Sequence, residues 1–164
     1  AMSESPIRRH MRRSLIEFPP TMPQHEEVLQ LAAATNDELG ELMANAYRDT
    51  PNYEGETLAD AITEVARTRD GHYGELLTYA CGVIRRDGRP VSASLVARVD
   101  GAPCLLYVIT APDSQREGLA TALIEHAAAR LTEVGEAIFD LAVTVGGPGE
   151  NLYRRLGFRE VARR

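Results

Sequence analysis

The run Pro103-Cys-Leu-Leu-Tyr-Val-Ile-Thr110, followed by Ala111-Pro-Asp-Ser114, then Gln115-Arg-Glu-Gly118-Leu-Ala120 and an amphipathic stretch to Leu131, decides the fold of this chain. An apolar strand that feeds a glycine-containing turn at a helix start is a physical device for holding phosphate. The first N–H groups of a helix lack intrahelical partners, and the helix dipole already favours negative charge there. Taken alone, Gln-x-x-Gly-x-Ala is a weak pattern, and Ser114-Gln-Arg-Glu117 also reads as a capping box with Gly118 relieving helix packing. The position between a buried strand and a long helix raises the ligand reading, because loops so placed carry ligands.

Working outward, the helix carries its apolar stripe on Leu119, Leu123, Ile124, Ala127 and Leu131, with Gly135 as its breaker. Ala137 to Val145 reads as a buried strand, Glu150 to Arg155 as a short helix and Phe158 to Ala162 as a last strand. Upstream, strands at 75–85 and 90–99 are joined through Asp87-Gly88, and Asp100-Gly101 leads into the strand at 103–110, which predicts an antiparallel meander. Thr35-Asn-Asp-Glu38 is a capping box opening a helix to Tyr47, and Thr57 to Arg69 has helical spacing of Leu58, Ala61, Ile62 and Val65. Glu27 to Ala32 reads as a first strand. Residues 1–25 are polar and proline-bearing and read as a mobile or loosely docked arm, with 26–164 as a single domain.

Composition narrows the function. A net charge of −6 excludes a general nucleic-acid binder, and no apolar run reaches the roughly 20 residues that span a membrane. The basic cluster Arg8 to Arg13 has no apolar stretch behind it, so it is no secretory signal and cytoplasmic residence is expected; Ala1 before Met2 reads as a cloning remnant. Cys81 and Cys104 are too few for a disulfide framework or a zinc site and read as free, buried thiols in strands. All 18 basic residues are arginine, so lysine chemistry by this chain's own side chains is excluded. Between Asp37 and Glu75 ten acids face only Arg48, Arg67 and Arg69.

Two motifs resemble those of the GCN5-related N-acetyltransferase (GNAT) superfamily, and the resemblance runs from Glu27 to the C-terminus. Gln115-Arg-Glu-Gly118-Leu-Ala120 fits the family's pyrophosphate pattern, and Leu152-Tyr153-Arg-Arg-Leu156-Gly157-Phe158 fits its C-terminal signature about thirty residues on. The resemblance implies an α/β fold of the α+β type: a mixed, mostly antiparallel central sheet flanked by helices, with a splayed cofactor-binding strand pair. It implies acetyl-CoA as acyl donor, with backbone groups of Val108, Ile109 and Thr110 on the pantetheine amides. The N–H groups across Gln115, Arg116, Glu117, Gly118, Leu119, Ala120 and Thr121 would take the pyrophosphate. By family position Tyr153 is the leaving-group acid and the Ile109 N–H the oxyanion donor. Where the family often has Asn and Ala ahead of Leu-Tyr, this chain has Gly146 and Gly149.

The implied reaction is direct attack of an amine on a thioester. A lysine-like amine is neutral only about one part in several thousand at pH 7, roughly 4–5 kcal/mol uphill. Glu54, Glu56 and Tyr107 are candidates for the base, and none stands out. Tyr47, Tyr53, Glu54 and Glu56 would line a site for a small cationic amine, although the acids between Asp37 and Glu75, Asp49 among them, also read as solvated helix faces. His25 and His72 sit near loops, and His126 reads as a surface residue of the long helix. The leading expectation is an N-acetyltransferase for a small-molecule amine, with no metal and with a homodimer as the family's common assembly. A peptide or protein acceptor, or an idle acyl-CoA-binding module, stays open.

Overall fold

In the computed structural model of the protein, two helices begin where capping residues stand. The structure describes residues 8–22, 26–48, 50, 53–144 and 149–162. For α1 (Asn36–Tyr47), the Glu38 N–H donates to Thr35 Oγ1 at 3.1 Å and the Thr35 N–H donates to Glu38 Oε1 at 3.1 Å. For α2 (Leu58–Arg69), Thr57 and Asp60 exchange the same pair of bonds at 3.1 and 2.8 Å. Each box satisfies two of the first-turn donors that a helix leaves orphaned. Leu39, Leu42 and Met43 of α1 and Ala61 and Val65 of α2 are buried. Gly40 permits the close approach of the two helices, since a Cβ there would lie 2.4 Å from Ile62.

Among the described residues, seven strands form one sheet. Strands β2 (Glu75–Leu76) and β3 (Gly82–Arg86) both pair antiparallel with β4 (Arg89–Val99), and β4 pairs antiparallel with β5 (Ala102–Thr110). The β3–β4 and β4–β5 turns are Asp87-Gly88 and Asp100-Gly101, with positive φ at both central residues, the tight hairpin geometry for which Asp-Gly is suited. After α3 (Leu119–Glu133) the chain enters β6 (Ile138–Thr144), parallel to β5, then α4 (Gly149–Arg155) and β7 (Arg159–Glu160). Val108 packs against the cluster that Leu119, Ala122 and Leu123 of α3 form with Ile84 and Val91, whereas the side chain of its neighbour Tyr107 reaches α2. Successive strand residues point to opposite faces, so α3 and α2 cover opposite sides of the sheet. Among the described residues, no helix is long and apolar enough to cross a membrane.

Two expectations are corrected. Glu27 to Ala32 makes no strand: Leu29 forms a single bridge with Val83 and a 3-10 turn follows at Leu31–Ala33. The Arg69 guanidinium takes the Leu31 and Ala34 carbonyls at 2.7 and 2.8 Å, leaving this segment bound to a side chain instead of a ladder.

The reading of the N-terminal region as a loose arm also gives way, because β1 (Arg8–Ser14) lies inside the sheet between β6 and β7. Its alternation explains the placement: Met11 is fully buried and Arg13 is 2% exposed. Arg13 Nη1 donates to Glu125 of α3 at 2.5 Å, while Nε and Nη2 donate to the Phe18 and Pro19 carbonyls at 3.0 and 3.2 Å. The Glu125 carboxylate also accepts from the Thr21 N–H. On the other face Arg12 grips Asp140 through two bonds of 2.7 and 2.9 Å. Residues 1–7 and 23–25 of the expected arm lie outside the described residues, as do Asp49 and Gly146.

Cys81 is buried just before β3, and Cys104 is only half-buried in β5; both are free thiols. Burial pushes both thiols up to about 11.

Candidate functional site

Strands β5 and β6 pair at only two positions, Cys104 with Asp140 and Leu105 with Leu141, and then part. A bulge starts the divergence: Leu95 stands opposite Tyr107 and Val96 opposite Leu105, leaving Leu106 as the extra residue. Beyond it, β5 keeps its β4 partner and its other edge faces the splay. In an antiparallel pair the backbone groups of successive residues alternate in direction. The Ala111 N–H donates to the Val91 carbonyl at 2.8 Å, and two residues back Ile109 stands opposite Ala93, its carbonyl taking a further bond from Ser92 Oγ at 2.9 Å. Ile109 therefore turns its N–H toward β4. Val108 and Thr110 turn theirs into the splay, so the N–H of Ile109, the donor expected from the sequence, faces the sheet, and that of Val108 faces the open edge.

At the end of β5 the turn Gln115 to Gly118 is held open by two left-handed residues, Arg116 at φ +66° and Gly118 at φ +80°. Such a conformation converges backbone N–H groups into an anion-binding concavity. The α3 N-cap is Gly118 and carries no side-chain hydrogen bond, in contrast to the boxed starts of α1 and α2. The capping-box reading of Ser114 to Glu117 is thus not realised; Ser114 closes a 3-10 turn, and the N–H groups of Leu119, Ala120 and Thr121 have no intrahelical acceptor. Leu119 anchors the turn with its buried side chain, and Arg86 holds the Glu117 carboxylate at 2.9 Å. A Cβ on Gly118 would meet no protein atom within 4 Å. A cleft of about 560 Å³ continues from Thr121 past Phe18 to Arg155 on α4. A cradle with free donors, no cap and an open outer face fits an extended, phosphate-bearing thioester.

Across the splay, Tyr153 of α4 sets its ring edge-on to Phe158 at 6.0 Å. Burial, with a smaller contribution from Tyr47, pushes its phenol up to about 12, so it stays a proton donor throughout the neutral range. Gly149 makes room for this ring, since a Cβ there would lie 3.1 Å from Tyr153 Cε2. Tyr47 ends α1 half-buried, its phenol raised by burial. From β5, Tyr107 Oη donates to Glu64 Oε1 of α2 at 2.6 Å. Burial first, then this bond and the Glu64 charge, hold the Tyr107 phenol far above its ordinary value. Tyr73, after α2, is also raised, chiefly by the Glu64 carboxylate nearby.

The structure brings Tyr47 into the electrostatic neighbourhood of both Tyr153 and Tyr107. It leaves Tyr53, Glu54 and Glu56 exposed on the α1–α2 loop, where Glu56 Oε2 accepts from the Glu54 N–H at 2.9 Å. Glu64, which the sequence did not single out and the fold brings to Tyr107, has one signal in the sequence, an acid beside the buried stripe of Ala61, Val65 and Thr68. His126 is half-buried rather than at the surface, its pKa lowered by that burial.

The sequence matches the family model described as an acetyltransferase (GNAT) domain over residues 77–160. A search of curated proteins returns no match. Among solved structures, the chain is similar to a GCN5-related N-acetyltransferase from Sphaerobacter thermophilus, at 17% identity and a TM-score of 0.69 over 96% of this chain and 50% of that one. It is also similar to the PaiA N-acetyltransferase from Thermoplasma acidophilum, solved with coenzyme A (16% identity, TM-score 0.64, 81% of this chain and 89% of that one). A protein of the GNAT family from Xanthomonas campestris pv. campestris matches at 25% identity and a TM-score of 0.59, over 88% of this chain and 94% of that one. The chain spans about half the length of the Sphaerobacter protein.

Proposed function

Because the chain belongs to the GNAT acetyltransferase family, whose acetyl donor is acetyl-CoA, we propose that it transfers the acetyl group to the nitrogen of a small, cationic amine. The observation that carries this reading is the free edge of β5, with Val108 and Thr110 turned into a splay that ends at an uncapped, glycine-turned helix start.

Bound acetyl-CoA supplies a thioester carbonyl open to attack by an amine. The outward backbone groups of Val108 and Thr110 pair with the pantetheine amides as a missing strand would, and the turn from Gln115 to Thr121 takes the pyrophosphate. The Val108 N–H donates to the carbonyl oxygen as charge grows on it. Tyr153 gives a hydrogen bond to the sulfur as it leaves; with ordinary values of about 8.5 for a thiol and 10 for a phenol, full transfer is uphill and a strong bond suffices. Tyr47 and Tyr107 wall the acceptor side.

The test is release of free thiol from acetyl-CoA across a panel of amines. Turnover with small amines supports the reading, and tight acetyl-CoA binding without turnover by any amine would make the chain an idle acyl-CoA-binding module. Gly118→Ala should raise the KM for acetyl-CoA at least about tenfold while costing only about 1 kcal/mol of stability for the left-handed alanine. Steady-state kinetics beside thermal unfolding check this. An unchanged KM would remove the pyrophosphate from the cradle.

A further inference from the structure

Most half-buried or buried carboxylates in this protein have an arginine. Glu38 pairs with Arg85, Glu26 with Arg86, Glu136 with Arg98, Glu125 with Arg13 and Asp140 with Arg12. Glu64 differs. It is half-buried, its carboxylate accepts the Tyr107 phenol at 2.6 Å, and among the described residues it has no ion pair. Among the described residues, no neighbouring cation forms an ion pair with it. Asp60, one turn back on α2, is spent on its cap with Thr57; Arg67, one turn on, is exposed and bears electrostatically on Tyr73; β5 contributes Tyr107, which α1 approaches through Tyr47. A phenol can only donate to a carboxylate that carries no proton, so Tyr107 fixes Oε1 and leaves acceptor capacity on Oε2.

We propose that Glu64, oriented by Tyr107, anchors a second positive charge on the acceptor, so that the preferred substrates are amines carrying another cationic group. The inference rests on the reading of the splay as an amine acetyltransferase site. Tyr107 ties Glu64 to the residue before Val108, which places the anchor beside the reacting centre and on the acceptor face of the sheet. The role follows from when each charge exists. The reacting nitrogen must shed its proton before attack, so a carboxylate clamped on it would stabilise the ground state and raise the barrier. A charge elsewhere on the acceptor persists through the transition state, and a fixed carboxylate against it helps both binding and orientation.

The experiment compares a linear diamine with a monoamine of the same length, on the wild type and on Glu64→Gln. Kinetics are read as KM and kcat, and diamine binding to the coenzyme A-saturated protein is measured by calorimetry. Glu64→Gln is expected to raise the diamine KM and Kd roughly 10- to 100-fold, the range for losing a charge-assisted bond, with the monoamine KM and the kcat within about threefold. Tyr107→Phe, which keeps the charge but frees the carboxylate, should give a smaller increase in the diamine KM. Equal effects on both amines, no effect on either, or a wild type that does not bind the diamine would overturn the proposal. Glu64-dependent diamine binding without turnover would instead sustain the anchor and sink the transferase reading.

Discussion

Arg13→Ala is expected to destabilise the protein by about 3–5 kcal/mol, because it leaves the Glu125 carboxylate buried without its cation. Arg13 is 2% and Glu125 5% exposed, and the guanidinium also carries the Phe18 and Pro19 carbonyls. One substitution thus unfastens β1 from α3 and releases the turn that follows the strand. For a domain of this size the melting temperature should fall roughly 10 °C or more. The paired change Arg13→Met with Glu125→Leu should recover much of the loss, since neither charge is then stranded. Thermal and denaturant unfolding of the three proteins measure this, and a single mutant as stable as the wild type would refute the placement of β1.

Tyr153→Phe is expected to lower kcat about 100-fold, the lower range for loss of a positioned proton donor, while the KM for acetyl-CoA stays within about threefold. The ring keeps its contact with Phe158, so the fold should be unaffected. The pH dependence sharpens the test. Burial raises the phenol above its unfolded value near 10 to about 12. The neutral phenol is thus favoured in the fold, and the stability it contributes is complete below about pH 10 and is lost as pH rises toward 12. A fall in wild-type kcat below about pH 11 must come from another group. Should kcat of Tyr153→Phe remain within twofold of wild type, Tyr153 serves only to pack.

Local chemistry was legible in the sequence, and long-range pairing was not. The Thr35–Glu38 box and the two Asp-Gly turns act within a few residues and could be read directly. Strand β1 could not, because Arg8 to Arg13 resembles a solvated tail until Glu125, 112 residues away, supplies the partner that lets Arg13 be buried. The strand, turn and helix from Ala102 to Glu133 are legible in the sequence, but the direction of the Val108 and Ile109 N–H groups is not. Which residue faces the splay depends on the bulge at Leu106, a tertiary accommodation that shifts the alternation of everything after it. Glu64 was one acid among ten in a segment of surface helices, and only the fold brings it to Tyr107.

Amide hydrogen exchange at single-residue resolution, with and without acetyl-CoA, tests the splayed strand most directly. The Val108 and Thr110 amides should exchange readily in the free protein and become strongly protected on binding, together with Leu119 to Thr121. The Ile109 amide, bound to β4 in both states, should change little. Protection gained at Ile109 and absent at Val108 and Thr110 would contradict the account.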